Sequence, residues 1–395
     1  MKSETENPVR RNTRGLLHWF EDRLTIKPEN GPVDWRGQEA SRRLLSFEQL
    51  EKSRSDPSEP NWLAHDRVVS SGVCKIRKAS VWMMCPSAMR THDPQRRLAI
   101  IFKGLRRLGY SGSPRIFQYC LRHDEWRHVW AKRRKGTYLD GRVAILGNAV
   151  SDYRNYYHFW ADTIADIWFL RQLLPESQMP QRYLMAYGDL PWQRQVLSMC
   201  GIPPEKIIPF SQHEWLSVET LIFPVRNKGA MTLPPWLATA IRSIAGWKGS
   251  QGALTRRIYL SRADAPRRGV ANETQIRERL RAQGFEVLTL DGLSVQEQQE
   301  LFASAAVIFS PHGAALTNLV WCSPGALVVD FISESHLKRC FRDLAWQSEV
   351  HYHPVVCRQV DSDRLGIDAD IEITASQINA AIDLITRKDI ITALP

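Results

Sequence analysis

The residues of this chain with the types and spacing to do chemistry fall into two groups. In the first, the apolar run 305–309 stops at Ser310-Pro311-His312-Gly313, the small residues Ala314 and Ala315 and then Thr317 follow, and a second apolar run closes on Asp330. The pattern is strand, tight turn, helix, strand. In a parallel sheet such a turn lies at the carboxyl end of a strand and offers the helix's free N–H groups to an anion, phosphate first. Gly313, Ala314 and Ala315 suit that use, because nothing larger than a methyl group would hold a phosphate away from the backbone. In the second group, His158 and Asp162 stand four residues apart in 151–174, a stretch without glycine or proline. One helical turn apart on one face, they can share a proton or approach one substrate hydroxyl as a general base, and Asp166 continues the stripe. The plain alternatives are an ordinary βαβ unit in a core and an i, i+4 polar pair on a half-buried helix.

The elements around the first group supply its charge. Residues 257–261 (RIYLS) predict a strand that empties into the guanidinium-rich loop 262–268. Loops after successive parallel strands gather along one sheet edge, so Arg262 and Arg268 should face the crevice of Ser310, His312 and Gly313. Two forked cations and one helix N-terminus suit a pyrophosphate. Asp330, at the end of the following strand, is placed to accept from a ribose hydroxyl. Asn272 either caps the helix ending near Gly284 or belongs to the site. Ser294 with Glu297, and Thr374 with Gln377, are capping-box pairs; the second opens a last helix, 376–387, expected to pack near the domain junction. Neither G-x-G-x-x-G nor the P-loop pattern occurs, so dehydrogenases and P-loop ATPases fall in rank.

At 395 residues the chain is long enough for two domains with substantial cores. Strand-like runs at 99–102 and 143–146, the helix 151–174, and further strands near 182, 207 and 220 make the first half α/β, and the second half alternates strand with helix. The expected division is an N-terminal extension over 1–60, a first α/β domain over 61–245 and a second over 246–395, with 233–252 as the boundary. A net charge of +11 favours an anionic partner. The basic, tryptophan-bearing run 122–135 suits a nucleic acid strand or, by preference, a solvated face or hairpin. Seven scattered cysteines without a CxxC pair suggest a reducing compartment. The polar N-terminus has no signal-peptide core and no run is long enough to span a bilayer, so the expectation is a cytoplasmic protein, with peripheral contact to an anionic membrane left open. The D-x-D triplets at 361–363 and 368–370 are weighed as metal ligands and set aside, since arginines and a helix dipole already supply positive charge; the pair His351 and His353 is set aside because alternating strand histidines are more often simply exposed and no third ligand is offered.

Residues 256–331 resemble the C-terminal region of glycosyltransferase family 61. The resemblance rests on Y-L-S-R at 259–262, R-x-x-x-N-E from Arg268 to Glu273, E-Q at 297–298 and H-G-A-x-L-T-N at 312–318, all in order. Asn155, His158 and Asp162 match the family's N-x-x-H-x-x-x-D segment. The family includes plant β-1,2-xylosyltransferases, protein O-linked N-acetylglucosaminyltransferases and bacterial proteins of capsular polysaccharide synthesis. The resemblance implies a GT-B architecture of two facing Rossmann-like domains. It also implies an inverting transfer from a nucleotide sugar, expected to be a UDP-sugar, to a hydroxyl of a polysaccharide or glycolipid, with no cofactor and no metal. Arg262, Arg268, His312, Gly313, Ala314 and Thr317 then match diphosphate-site positions, with Asn272 and Glu273 as site or cap. Asp162 is the preferred base, with His158 orienting it or replacing it. A non-catalytic, basic nucleotide- or nucleic-acid-binding protein is the alternative.

Overall fold

The computed structural model describes residues 72–84, 98–103, 106–108, 136–147 and 153–392, apart from 214, 227, 229–232, 250–251, 264, 266 and 361–367. The extension 1–60 and the basic run 122–135 lie outside the described residues.

Two sheets, both rich in parallel pairs, organise an α/β fold. The first contains β1 (Gly72–Met84), β2 (Leu98–Lys103), β3 (Arg106–Leu108), β4 (Thr137–Ile145), β5 (Arg182–Met185), β6 (Ile207–Pro209) and β7 (Trp215–Val225), in the order β3-β2-β1-β7-β4-β5-β6. Strands β7, β4, β5 and β6 run parallel, and β1 to β3 extend the sheet antiparallel. The second contains β8 (Arg256–Leu260), β9 (Glu286–Leu288), β10 (Ala305–Pro311), β11 (Leu327–Ser333), β12 (His351–Gln359) and β13 (Ile371–Glu372), in the order β13-β12-β11-β10-β8-β9. All its pairs are parallel except β12 with β13.

Strand periodicity decides which core each residue enters. On β4, Val143 and Ile145 face one core while Ala144 faces another. On β10 and β11, Val307, Phe309, Leu327, Val329 and Phe331 face outward to a third, while Ile308 and Val328 face the same core as Ala144. Alternation of period two sorts them. The core shared by both sheets is filled by helices: α1 (156–173), α2 (Pro191–Met199), α3 (Leu237–Ile244), α5 (Val295–Ala303), α6 (Cys340–Gln347) and a 3-10 helix, Ala314–Trp321. Helix α4 (Glu273–Ala282) and the last helix, α7 (Ala375–Thr392), cover the second sheet's outer face.

Three expectations need correction. The last helix opens on its capping box, Gln377 N donating to Thr374 Oγ1 (3.2 Å) and Thr374 N to Gln377 Oε1 (2.9 Å). Its apolar residues Ile378, Ala381 and Ile385, however, bury against the second sheet's outer face rather than near the junction. The run after Gly313 is 3-10 rather than α-helical. Helix α1 is not uniform either: an α turn Tyr156–His158 leads into a π segment, Phe159–Ile164, and then an α segment, Ala165–Leu173.

A buried amide ties α1 to the second sheet. Asn318 Oδ1 accepts from Tyr156 Oη (3.1 Å) and Trp321 Nε1 (3.0 Å), and Asn318 Nδ2 donates to Gln298 Oε1 (2.9 Å). Trp160 and Trp321 meet edge to face beside it, their centroids 5.5 Å apart. Replacing a buried amide that serves three partners strands each of them. Asn318→Ala is therefore expected to lose about 3 kcal/mol or more of stability, read as a lower denaturant midpoint at unchanged slope; a loss under about 1 kcal/mol would mean water replaces the amide.

Candidate active site

Numbered from β8, the parallel strands of the second sheet run 2-1-3-4-5, and the order reverses between β8 and β10. Ligands of open α/β sheets bind beyond the carboxyl ends of the strands at that reversal. The loop after β8 carries Arg262 and Arg268, and the turn after β10 carries His312 and Gly313, so the fold brings these four to one place.

Within that place the two arginines differ. Arg262 is a strut: Nε donates to Arg268 O and Nη2 to Arg267 O, both at 2.9 Å, closing its own loop. A Cβ on Gly313 would stand 2.0 Å from Arg262 Nη1, so the guanidinium occupies the room that glycine leaves. Gly313 is extended (φ −175°), and the demand for glycine is one of space alone. Arg268 instead lines a pocket with Pro311, His312, Phe331, Ser333 and His336. Its backbone is left-handed (φ 59°), and its buried Nε has no hydrogen-bond partner. Both features cost free energy, and such strain collects at ligand sites. Burial, reinforced by Arg267, pulls the Arg268 guanidinium below its usual range. The closed part of the pocket measures about 10 Å³, room for one water, so a phosphate would sit at its mouth.

His312 is fixed from behind. Its Nδ1 lies 2.8 Å from Asp330 Oδ2, which also accepts from Tyr352 Oη (2.7 Å). Asp330 is fully buried in mid-strand, on the parity of β11 that faces the shared core. In place of the expected ribose contact, it holds a histidine ring and leaves Nε2 as that ring's second nitrogen. Its Oδ1 has no partner. Other expected contacts also turn inward. Thr317 Oγ1 donates to Ala314 O (2.7 Å) within the 3-10 helix, and Ser310 Oγ donates to Pro311 O; both side chains are buried. Ala314 and Ala315 are half-buried at the start of that helix.

Asn272 precedes α4 without capping it. Its amide instead exchanges hydrogen bonds with the backbone of Ile373, Nδ2 to the carbonyl (2.7 Å) and Oδ1 from the N–H (3.2 Å), fastening α4 to the chain beyond β13. Glu273 Oε1 accepts from Tyr259 Oη and from Arg262 N, each at 3.1 Å, and so sets the direction in which the arginine loop leaves β8. Asp368 pairs with Arg267 (2.9 Å), and Asp370 accepts from Gly269 N (2.7 Å). The triplet 361–363 lies outside the described residues.

On α1, His158 Nδ1 stands 2.7 Å from Asp162 Oδ2, with the histidine side chain 25% exposed and the aspartate 1%. Asn155 Oδ1 accepts from His158 N (3.2 Å) and caps the first turn. Asp166 leaves the stripe, because the π segment advances the helix by an extra residue between the two carboxylates. It is buried against Arg226 (2.7 Å) and Lys228, and accepts from Gly147 N. Arg226 Nη2 also donates to the carbonyls of Ala161 (2.8 Å) and Asp162 (3.0 Å), holding the π segment from the side. Burial pulls the Lys228 amine down. Ring contacts link the two groups: Tyr157 meets Phe341 with centroids at 5.4 Å, and Phe341 meets His312 at 4.9 Å.

Two participants escaped sequence reasoning. Arg226 follows β7 with no motif around it. His336, in the loop after β11, faces His312 with centroids 6.0 Å apart. The rule that gathered the loops after β8 and β10 at one edge applies equally to the loop after β11, and that was the available signal.

The family model described as Glycosyltransferase 61 matches residues 156–329, a span that runs from the start of α1 into β11 and takes in His158, Asp162, Arg262, Arg268 and His312 but stops short of Asp330. The fold is of the α/β class, and over that span the match supports the resemblance to glycosyltransferase family 61. No curated protein matches the chain.

Burial, then His312, Arg268 and Lys338, pushes the His336 imidazole down to about 3. A histidine held neutral in the fold binds its proton more readily once unfolded, so its contribution is complete above about pH 6.5 and is lost as pH falls toward 3. His336→Gln should flatten the decline of stability across that window. Thermal melts against pH that keep the wild-type slope would exclude His336 as its source.

Proposed function

We propose that the protein is an inverting, metal-independent glycosyltransferase of GT-B type. It takes a sugar from a nucleoside diphosphate donor, a UDP-sugar, and transfers it to a hydroxyl of a polysaccharide or glycolipid. The observation that carries this reading is the pocket of Arg268, His312 and His336. No carboxylate is among its lining residues, and a buried guanidinium nitrogen there has no partner. An acceptor-rich anion satisfies such a group, and the diphosphate leaving group is one. The Arg268 guanidinium supplies positive charge of the kind a divalent ion would otherwise bring, and the rings of His312 and His336 line the same pocket.

The geometry on α1 favours His158 over Asp162 as base. Asp162 is too deeply buried to reach an acceptor, whereas His158 is partly exposed and has its Nδ1 held by that carboxylate. A carboxylate behind an imidazole fixes the tautomer and stabilises the imidazolium that forms, the logic of the serine-protease triad. His158 Nε2 takes the proton as the acceptor oxygen attacks the anomeric carbon. The bond from that carbon to the diphosphate breaks with inversion, and its electron pair leaves on the phosphate oxygen against Arg268. Helix α1 packs on the second sheet through Asn318 and Trp321, which supports the same side for base and leaving group. Among the described residues no helix is long and apolar enough to cross a membrane. The reading places the enzyme in the cytoplasm, where a charge of +11 can meet the anionic leaflet that carries a lipid-linked acceptor.

Two measurements test the reading. Arg268→Ala should weaken UDP binding by at least about 30-fold in calorimetry, as expected for a hydrogen bond to a charged group inside a pocket, with the melting temperature held or raised. Unchanged affinity would remove the diphosphate assignment. His158→Gln should lower kcat by about 10²- to 10⁴-fold, and Asp162→Asn should also lower kcat while leaving UDP affinity intact. Turnover retained in His158→Gln would return the role of base to Asp162.

A further inference from the structure

A second pocket lies at the opposite edge of the second sheet. The 3-10 helix starts beside His312, at the carboxyl end of β10, and ends at Trp321, before β11 begins. Its eight residues separate the two edges by roughly 16 Å at 2.0 Å per residue. The second pocket measures about 330 Å³ and is lined by Arg242, Trp247, Lys248, Trp321, Cys322 and Ser323, among others. That volume is in the range of small-molecule sites, and none of the lining residues is acidic.

Its walls are built rather than incidental. Helix α3 ends at Gly246 in the left-handed region (φ 66°), and Trp247 N donates back to Arg242 O (2.9 Å), the closure that fixes a residue just past a helix end. Trp247 packs edge to face on buried Trp321, with centroids at 5.7 Å. Arg242 is anchored by donating Nε to Val320 O and Nη2 to Cys322 O. Burial pulls its guanidinium below the usual range, and Cys322 and Glu349 act in the opposite direction. Lys248 is exposed at the rim. The pocket therefore offers an aromatic wall, an anchored, partly buried cation and an exposed one. A sugar ring presents C–H groups to an indole face, and a carboxylate on that ring matches a guanidinium and an ammonium.

We propose that this pocket is a second binding site, for an anionic saccharide of the hexuronate type, separate from the pocket of Arg268 and His312. Calorimetry on the full chain tests it, with trigalacturonate as probe, maltotriose as the neutral control and inorganic phosphate as the bare anion. Trigalacturonate is expected to bind with an affinity that falls with salt, and maltotriose at least about tenfold more weakly. Lys248→Glu, a surface change, should weaken trigalacturonate by about fivefold or more, and Trp247→Leu, which keeps an apolar contact with Trp321, by about tenfold. UDP affinity should be unchanged in both variants, so a failure of the donor pocket and a failure of this site read out separately. Trigalacturonate binding that both variants leave intact, no trigalacturonate binding, or phosphate competing with it at equal strength would each overturn the proposal.

Discussion

The side chain of Asn318 is the interaction on which the arrangement of the site depends. One fully buried amide bonds to the phenol of Tyr156 on α1, to the indole of Trp321 on its own helix and to Gln298 on α5. In a dry core a polar atom without its partner is costly, so these elements can pack only in the one relative placement that satisfies all three bonds. Apolar contact such as Trp160 on Trp321 supplies cohesion and tolerates sliding; the amide does not. It thereby relates the helix that carries His158 to the strand turn that carries His312. Asn318 and Gln298 of the motif pattern are thus a joint between elements.

Buried charge performs a similar task on the first sheet. Arg226 and Lys228 converge on Asp166, with Arg226 stacked over Trp236 at 5.3 Å. Such a cluster gains little net stability over apolar packing, because desolvation offsets most of the attraction. What it gains here is register. Two carbonyls of the π segment accept from Arg226, and Asp166 is drawn to the cations while Asp162 stays with His158. Lys228 also lies close enough to feel the Asp162 charge. The extra residue keeps Asp162 as the carboxylate behind His158.

Much of this was legible before any coordinates. Ser294 and Glu297, and Thr374 and Gln377, form the capping boxes their spacing announces, because that motif is closed within four residues. The parallel second sheet follows from alternating apolar runs, and the edge shared by Arg268 and His312 follows from its connections. What stayed hidden depends on parity and on partners far along the chain. Asp330 reads as the end of a strand, but β11 continues to Ser333 and the alternation of β11 turns the carboxylate inward. Asn272 reads as a cap until Ile373, about a hundred residues later, takes both ends of its amide. The π segment has no sequence signature, and Arg226, which donates to two of its carbonyls, lies just past β7, far along the chain.

The matched motif residues therefore divide by what they touch. Tyr259, Glu273 and Arg262 set the arginine loop; Asn272 fastens α4; Thr317 bonds within its own 3-10 helix, and Asn318 with Gln298 joins that helix to α5. Gly313 gives room to Arg262. Only Arg268 and His312 of this set turn toward the pocket, joined there by His336, which no motif flags. A motif is held by every residue whose loss misplaces the chemistry, and most such residues act at one remove from the ligand. This is why ordered matches identify a family well yet name its contact residues poorly. Distances separate the two kinds: His158 is partly exposed with buried Asp162 behind it, and Asp330 is turned inward to His312 and Tyr352.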